Sequence, residues 1–318
     1  MVLSAGSSKV RAPRNRTLVV SNSEAAVYRS FLVYAAPPEL SRIRNSVICG
    51  DAFKALAKLP GKSFDLLFVD PPYNLNKTFG KETFYEQPSA DYETWLDSWL
   101  TLCVPLLKPS ASVYICGDWR SSSAIQRVGS KYFKLRNRIT WEREKGRGAK
   151  ENWKNAAEDI WYFTVSDEFP FNLDAVKMRR KVLAPYRKNG MPKDWDETED
   201  GNFRDTHPSN IWTDISVPFW SMPENTDHPT QKPEKLLAKI ILASTNPGDL
   251  ILDPFAGSGT TAVTAKKLGR DFVAIESDEQ YCLIAQKRLD LAEKDRSIQG
   301  FSDGVFWERN SGNARRKV

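Results

Sequence analysis

The chain has 318 residues, of which 41% are hydrophobic and 27% charged, so it can bury a large core, and collagen-like, low-complexity and wholly disordered classes are excluded. Its 46 lysines and arginines outnumber its 40 aspartates and glutamates, and the formal net charge of +6 favours a polyanionic partner without requiring one. Four widely spaced cysteines and two histidines predict reduced, buried thiols and no metal site.

The amino-terminal segment is rich in serine, proline and basic residues, and its first acidic residue is Glu24. This composition predicts a flexible basic arm over residues 1–43, with the fold beginning near Arg44. Neither this segment nor any later one contains the ~18 consecutive apolar residues of a membrane helix, and we expect a cytoplasmic protein.

Residues 44–168 alternate between short apolar runs and stretches with apolar residues at helical spacing. The predicted strands are, in chain order, SVICG, FDLLFVD, SVYICGD, LRNRITWE and EDIWYFTVS. The predicted helices are AFKALAKL and DYETWLDSWLTLCVPLL. This region is therefore interpreted as the first half of a layered domain.

Residues 169–227 lose this periodicity, and their Pro, Asn, Asp and aromatic content predicts an irregular insertion. Its small core is expected to contain Trp195, Phe203, Trp212, Phe219 and Trp220. In residues 228–293, PEKLLAKIILAS, GTTAVTAKKLG and EQYCLIAQKRLDLAE predict helices, and LILDPF and DFVAIE predict strands. Residues 294–318 are expected to form a carboxyl-terminal tail. Alternating strands and helices favour an α/β fold with a doubly wound, mostly parallel sheet.

A glycine-rich turn lies between a predicted strand and a predicted helix, where Gly257, Gly259 and Ala262 have the G-x-G-x-x-A spacing of a nucleotide cradle. Glu276 ends the next strand, where a carboxylate can accept hydrogen bonds from both ribose hydroxyls. The same spacing serves NAD in oxidoreductases, and the glycines could also merely permit a tight turn. Asp253, just before the turn, favours a ligand with an ammonium group, such as S-adenosylmethionine, over a pyrophosphate.

The tetrapeptide Asp70-Pro71-Pro72-Tyr73 follows the buried strand FDLLFV and should project from the carboxyl edge of the sheet. Two prolines fix the backbone and remove two N–H donors, which leaves rigid carbonyls beside a carboxylate and a flat ring. Asp70 and the carbonyl of Pro71 can each accept one hydrogen of a planar amine, while Tyr73 stacks on the ring that carries it. Alternatively, the tetrapeptide is only a turn that ends a strand.

The order of these motifs resembles the β-class amino-directed DNA methyltransferases, in which a catalytic DPPY precedes the cofactor turn. The resemblance extends from Cys49 to Glu293. Its elements are, in chain order, GDA at 50–52, DPPY at 70–73, EDIWYF followed by FPFNLDAV, HPTQKPEKL at 228–236, DPFAGSGTT at 253–261 and the acidic strand end at Glu276. It implies a Rossmann-like, seven-stranded sheet with a catalytic half, an inserted DNA-recognition segment and a cofactor-binding half.

The resemblance also implies roles for individual residues. The cofactor contacts that it implies are Asp51, Ala52, Asp70, Thr230, Gln231, Lys232, Asp253, Pro254, Phe255, Ala256, Gly257, Ser258, Gly259, Thr260 and Glu276. Asp51 would contact the cofactor's adenine, Glu276 its ribose and Lys232 its methionine carboxylate. His228 is expected to cap or pack. One departure is Ala157-Glu158, where relatives often carry His-Glu, and no role is carried over to that pair.

The implied reaction transfers a methyl group from S-adenosylmethionine to an amino group of an extrahelical base in duplex DNA, with S-adenosylhomocysteine as product. Asp rather than Ser at position 70 favours adenine N6 over cytosine N4, although both bases present the same amidine edge. A functional partnership with a cognate restriction endonuclease and a homodimer follow by analogy, as does a location near the nucleoid. A catalytically silent DNA-binding relative and an NAD-dependent oxidoreductase remain as alternatives.

Two basic stretches, Lys134–Lys154 and Lys177–Lys193, are candidates for phosphate contacts, although a solvated loop could be equally basic. The acidic run Asp194–Asp205 is expected to face away from the phosphates. The loop Asn74–Asp91 is too long for a plain connection and is predicted to close over the flipped base.

Overall fold

The structure, a computed structural model, describes residues 12–37, 39–79, 82–143, 152–182, 186–189, 191–198 and 201–309. Seven α-helices lie in these ranges: α1 (Asn22–Arg29), α2 (Ala52–Leu56), α3 (Ser89–Cys103), α4 (Ser122–Tyr132), α5 (Glu234–Ser244), α6 (Thr260–Lys267) and α7 (Glu279–Lys294). Among the described residues, no helix is both long enough and apolar enough to cross a membrane.

Seventeen strands lie in the same ranges. They are β1 (Ser46–Cys49), β2 (Phe64–Val69), β3 (Lys77–Phe79), β4 (Glu82–Phe84), β5 (Leu107–Gly117), β6 (Lys134–Glu142), β7 (Ala157–Thr164), β8 (Met178–Lys181), β9 (Arg187–Lys188), β10 (Met191–Pro192), β11 (Asp196–Thr198), β12 (Gly201–Thr206), β13 (Ile211–Trp212), β14 (Leu250–Asp253), β15 (Asp271–Glu276), β16 (Phe301–Ser302) and β17 (Val305–Trp307). Every strand and helix predicted for residues 44–168 and 228–293 is present, whereas α4 was not predicted.

The central sheet has the order β1-β15-β14-β2-β5-β7-β6-β13. All neighbours in it are parallel except β7, which is antiparallel to both β5 and β6. The prediction of a doubly wound, mostly parallel sheet is confirmed. The expected seven strands are joined by an eighth, because the two residues Ile211–Trp212 of the insertion pair with the edge strand β6.

Helices cover both faces of this sheet. Successive side chains of a strand point to opposite faces, so each central strand contributes residues to two cores. On β2, Leu66 and Phe68 pack in a core with residues of α5, α6 and α7. Leu67 and Val69, one position along, pack in a second core with residues of α2, α3 and α4. This burial on both faces explains why FDLLFV is continuously apolar rather than alternating.

A second, five-stranded sheet has the order β11-β12-β8-β17-β16 and joins the insertion to the carboxyl-terminal segment. The expectation of a tail from residue 294 onward is wrong for Phe301–Trp307, which forms a hairpin paired with β8. Its two-residue turn, Asp303-Gly304, has positive φ angles at both positions, and Asp-Gly is a strong hairpin signal. Phe306 is fully buried beside Val176 and Ala238. The RRK sequence near the end lies outside the described residues.

The amino-terminal segment is also part of the fold. The expectation of a flexible arm as far as residue 43 is wrong for residues 12–37 and 39–43, whereas residues 1–11 and residue 38 lie outside the described ranges. Ser21 and Glu24 form a capping box that begins α1, and the Glu24 carboxylate accepts a hydrogen bond from Lys287 of α7 at 2.6 Å. The S-x-x-E pattern was the signal for this helix.

Candidate active site

Three predicted site carboxylates lie at one edge of the central sheet. Asp70 follows β2, Asp253 is the last residue of β14 and Glu276 is the last residue of β15. These three strands are adjacent and parallel, so their carboxyl ends meet at the same edge. Ligands of open α/β sheets bind at such an edge.

A cavity of about 640 Å³ opens at this edge, a size in the range of small-molecule sites. Fourteen of the fifteen predicted cofactor residues line it; the exception is Gly259. Sequence reasoning did not identify several further lining side chains, among them Phe53, Trp95, Gln280 and Tyr281, and it placed Phe84 only in the loop over the flipped base. The aromatic residues among these lie in four different elements, α2, β4, α3 and α7, so no local motif indicates them.

The first glycine of the turn, Gly257, has φ +52°, and a Cβ built on it would lie 2.7 Å from Nε2 of His228. Only glycine fits there without displacing the histidine. The Gly257 N–H donates to Oε2 of Glu276 at 2.8 Å, and the Asp278 N–H donates to Oε1 at 2.8 Å. Burial raises the pKa of Glu276, and these two backbone donors orient its carboxylate at the cavity wall.

Gly259 has a different position from the one expected for a cofactor contact. Its φ is +78°, and a Cβ on it would lie 2.6 Å from the Cβ of Ala285 on α7. It therefore lets the start of α6 pack closely against α7. The sequence pattern could not separate a ligand contact from a helix contact at this position.

Asp253 is buried, and both of its oxygens accept hydrogen bonds. The Thr261 hydroxyl donates to Oδ2, and the Phe255 N–H donates to Oδ1 at 3.0 Å. Burial raises the pKa of Asp253 to about 7, although the two donors oppose the shift. The carboxylate nevertheless lines the cavity, where a cationic ligand group would favour its ionised form.

This raised pKa predicts a stability change in Asp253→Asn. Between pH 4 and 7 the unfolded chain, with an aspartate pKa of about 4, loses its proton before the folded protein does, so ionisation of Asp253 costs stability as the pH rises. The variant removes that cost, and its free energy of unfolding should exceed the parent's by more at pH 8 than at pH 5. Urea unfolding at both pH values measures this difference. As a control, Asp91→Asn at an exposed position should change the free energy of unfolding by the same amount at pH 5 and at pH 8.

The DPPY side chains form a hydrogen-bonded group rather than an isolated turn. The Tyr73 hydroxyl donates to Oδ1 of Asp70 at 2.8 Å, and the Lys232 ammonium donates to Oδ2 at 2.6 Å. The Tyr92 hydroxyl of α3 donates to the Pro72 carbonyl at 3.0 Å. Burial raises the pKa of Tyr73 well above its ordinary value, so its hydroxyl stays protonated and donates a hydrogen bond. Asp70 and Pro72 line the cavity.

Lys232, expected to contact the methionine carboxylate of the cofactor, is already paired with carboxylates of the protein. Its ammonium contacts Asp70 and also Oε2 of Glu158 at 3.3 Å. Burial lowers the pKa of Lys232, but the two carboxylates outweigh burial and raise it above its ordinary value. Glu158 is the main residue that sequence reasoning missed, because no motif assigns it a role and it lies 74 positions before Lys232.

Two other residues of the HPTQKP segment have structural partners. The Gln231 side chain accepts hydrogen bonds from the N–H and the hydroxyl of Thr226 and donates to the Glu224 carbonyl at 2.7 Å. The His228 ring packs edge-on against Tyr281 at 4.5 Å, which confirms the expected packing role. Burial lowers the pKa of His228 to about 3, so the ring is neutral. No group of three metal-ligating side chains occurs among the described residues.

The loop after DPPY contains a hairpin of β3 and β4. Its base is closed by Asn74, whose side chain donates to the Gln87 carbonyl at 2.8 Å and accepts from the Gln87 N–H at 2.7 Å. Phe84 of β4 reaches the cavity wall. Closure of this loop over a base stays a prediction.

The acidic run Asp194–Asp205, which was expected to face away from the phosphates, lies against the basic stretch Lys177–Lys193 that was predicted to contact them. It pairs with that stretch: Arg179 contacts Asp205 at 2.7 Å, and Arg187 contacts Glu197 at 3.0 Å. Antiparallel pairing of β8 with β12 places Arg179 and Asp205 side by side. These arginines are therefore partly neutralised within the insertion. Residues 144–151 of the other basic stretch lie outside the described ranges.

Comparison with known proteins gives relatives that match most of the chain. The chain is 37% identical over 266 residues to the DNA adenine methyltransferase YhdJ of Escherichia coli (strain K12). This alignment covers 80% of this chain and 86% of YhdJ. It is 34% identical over 252 residues to the type II methyltransferase M.HpaI of Haemophilus parainfluenzae, covering 77% of this chain and 74% of that protein.

Solved structures agree with the fold. The crystal structure of the M1.HpyAVI-SAM complex matches with a TM-score of 0.52 and 25% identity, over 77% of this chain and 98% of that chain. The cytosine-N4-specific PvuII DNA methyltransferase matches in fold, with a TM-score of 0.55 and 19% identity, over 83% of this chain and 93% of that chain. A family model described as DNA methylase matches residues 64–287, more than half of the sequence. This chain therefore belongs to the N6/N4 methyltransferase family of DNA methylases.

Proposed function

We propose that this protein transfers a methyl group from S-adenosylmethionine to the 6-amino group of adenine at a specific site in duplex DNA. The observation that carries the proposal is the position of the DPPY carboxylate, Asp70, on the wall of the cavity that Asp253 and Glu276 also line. YhdJ, 37% identical, is named a DNA adenine methyltransferase. The PvuII enzyme, a relative in fold, acts on cytosine N4, so the choice of base needs its own experiment.

The residues around the cavity fit S-adenosylmethionine. Three carboxylates lie at separate points of the cavity wall. Asp51 and Glu276 can accept hydrogen bonds from the amine and hydroxyl donors of a nucleoside, and Asp253 can bind an ammonium group. Gly257 leaves room that a side chain would fill. When bound, S-adenosylmethionine supplies a methyl group on a positively charged sulfur.

The chain's own residues then act on the target amine. Asp70 and the Pro71 carbonyl accept its two hydrogens, which directs the nitrogen lone pair away from the ring and toward the methyl group. As the nitrogen becomes positively charged, the Asp70 carboxylate stabilises that charge. In this proposal the same carboxylate accepts the proton that the amine must lose. Burial raises the pKa of Asp70, which makes it a better acceptor.

A base inside the duplex cannot reach Asp70, so the target adenine is rotated out of the stack. Residues 169–227 are proposed as the recognition segment, with the Asn74–Asp91 loop covering the flipped base. A cognate restriction endonuclease as functional partner and a homodimer belong to the same proposal and rest on the resemblance alone. The protein would act with the nucleoid in the cytoplasm of a prokaryotic cell.

The test is methyl transfer from labelled S-adenosylmethionine to mixed genomic DNA, followed by nucleoside analysis. We expect N6-methyladenine, inhibition by S-adenosylhomocysteine and modification at one sequence by modification-sensitive sequencing. N4-methylcytosine as the only product would overturn the choice of base. DNA binding without any methylation would instead support a silent relative, and retention of NADH without affinity for S-adenosylhomocysteine would support an oxidoreductase.

A further inference from the structure

A second carboxylate lies behind the DPPY group. Glu158 is the second residue of β7, the strand antiparallel to β5, and its side chain is 5% exposed. Its Oε2 lies 3.2 Å from the Tyr73 hydroxyl and 3.3 Å from the Lys232 ammonium. Its Oε1 pairs with Arg143 of the segment after β6. Glu158 thus touches two of the side chains that hold Asp70.

The charges in this group balance. Asp70 and Glu158 are the two carboxylates, and Lys232 and Arg143 are the two cations paired with them. If Glu158 were neutral, the Lys232 ammonium would have Asp70 as its one carboxylate contact in this group. Asp70 interacts electrostatically with the charged and titratable groups packed around it. These are Tyr73, Lys77, Tyr92, Cys116, Glu158, Lys232 and Asp253.

We propose that Glu158 is a positioning residue that shares the Lys232 ammonium and so keeps Asp70 a strong acceptor for the target amine. The proposal rests on the proposed function and names a further residue of its mechanism. During methyl transfer, positive charge moves from the sulfur to the amine nitrogen, which Asp70 must stabilise. An unshared ammonium on Oδ2 would oppose that stabilisation, and Glu158 reduces this opposition.

The pKa directions agree with this role. Burial raises the pKa of Asp70, Lys232 lowers it, and the negative charge of Glu158 raises it again. Burial raises the pKa of Glu158 as well, but Lys232 and Arg143 outweigh burial, so the pKa of Glu158 is held below its ordinary value and the group remains charged. Removing the charge of Glu158 should therefore lower the pKa of Asp70.

The first measurement needs neither DNA nor methyl donor. The carboxyl pKa of Asp70 is followed by carbon-13 NMR in protein labelled at aspartate, with Asp70→Ala used to assign the signal. We expect a lower pKa of Asp70 in Glu158→Gln and a pKa near the parent's in Glu158→Asp, which keeps the charge on a shorter side chain. An unchanged pKa in Glu158→Gln overturns the proposal.

The matched control is the neighbouring residue of the same strand. Asp159 accepts hydrogen bonds from Ser122 at 2.7 Å and from Thr140 at 3.0 Å, so Asp159→Asn also removes a half-buried charge of β7. It should leave the pKa of Asp70 unchanged. An equal shift in Asp159→Asn would mean that any loss of charge in β7 has this effect, which contradicts a specific role of Glu158.

The second measurement is methyl transfer. In Glu158→Gln we expect kcat to fall roughly 10- to 100-fold, the range for residues that orient metal ligands, with the KM for the methyl donor little changed. The acid limb of the kcat profile should move to lower pH together with the pKa of Asp70. A fall in kcat without that movement would indicate a merely structural role and overturn the proposal. A parent protein without any methyl transfer would contradict the proposed function, while the NMR result would still decide the role of Glu158.

Discussion

Replacement of Asp70 with alanine is expected to lower kcat for methyl transfer by about 10³-fold, in the range for loss of one preorganised polar group at a reacting atom. The variant loses the acceptor for an amine hydrogen and the negative charge that stabilises the developing ammonium. Affinity for the methyl donor should change only a few-fold, because Asp253, Glu276 and the glycine turn are left intact. Single-turnover methyl transfer and calorimetric titration with S-adenosylhomocysteine measure the two quantities.

Tyr73→Phe is the matched control for Asp70→Ala. It keeps the aromatic ring and removes only the hydroxyl that donates to Oδ1 of Asp70. Its kcat should fall less than that of Asp70→Ala, by roughly 10- to 100-fold, since one hydrogen bond to a charged group contributes roughly 1.5–3 kcal/mol and each ~1.4 kcal/mol is a factor of ten. Undiminished methyl transfer by Asp70→Ala would contradict the mechanism, and an equally large loss in both variants would shift the main role to the Tyr73 hydroxyl.

Gly259→Ala is expected to destabilise the protein by about 2–5 kcal/mol. Roughly 1–2 kcal/mol comes from a Cβ at positive φ, and roughly 1–3 kcal/mol from overpacking. The new Cβ would lie 2.6 Å from the Cβ and 3.2 Å from the Cα of Ala285, so α6 and α7 would have to move apart. Equilibrium unfolding in urea measures the change in the free energy of unfolding.

Two further variants separate the two contributions. Gly269 has a similar φ of +72°, and a Cβ added to it would meet no heavy atom of the described residues within 4 Å, so Gly269→Ala reports the backbone contribution alone. Adding Ala285→Gly to Gly259→Ala removes the nearer contact and should recover part of the loss in a double-mutant cycle. Equal losses for Gly259→Ala and Gly269→Ala would show that helix packing does not limit this position.

Much of the fold could be predicted because its signals are local. FDLLFV is buried on both faces and is therefore apolar at nearly every position, and the strand and helix alternation along residues 228–293 has the same local origin. The edge position of DPPY then follows from topology, since residues after parallel strands meet at the carboxyl edge. The short insertion strands and the pairing of β17 with β8 were not predicted, because two- to four-residue strands leave almost no periodic pattern.

The site was predicted where a motif carries it and missed where distant residues converge. Lys232 reaches Asp70 across 162 positions of sequence, and Glu158 joins them from β7. A sequence pattern shows that a lysine is present but not which carboxylate it meets. The same limit applies to Arg179, whose basic character suggested a phosphate contact although Asp205 lies opposite it on the neighbouring strand.

The carboxyl-terminal hairpin has a consequence for engineering new specificities. Strand β8 has β12 on one side and β17 on the other, so the sheet of the insertion is completed by residues that come more than 100 positions later. A chimera that grafts residues 169–227 onto another scaffold would leave β8 with an unpaired edge and open an aggregation-prone surface. The transferable unit consists of the two pieces together, the central segment and Phe301–Trp307.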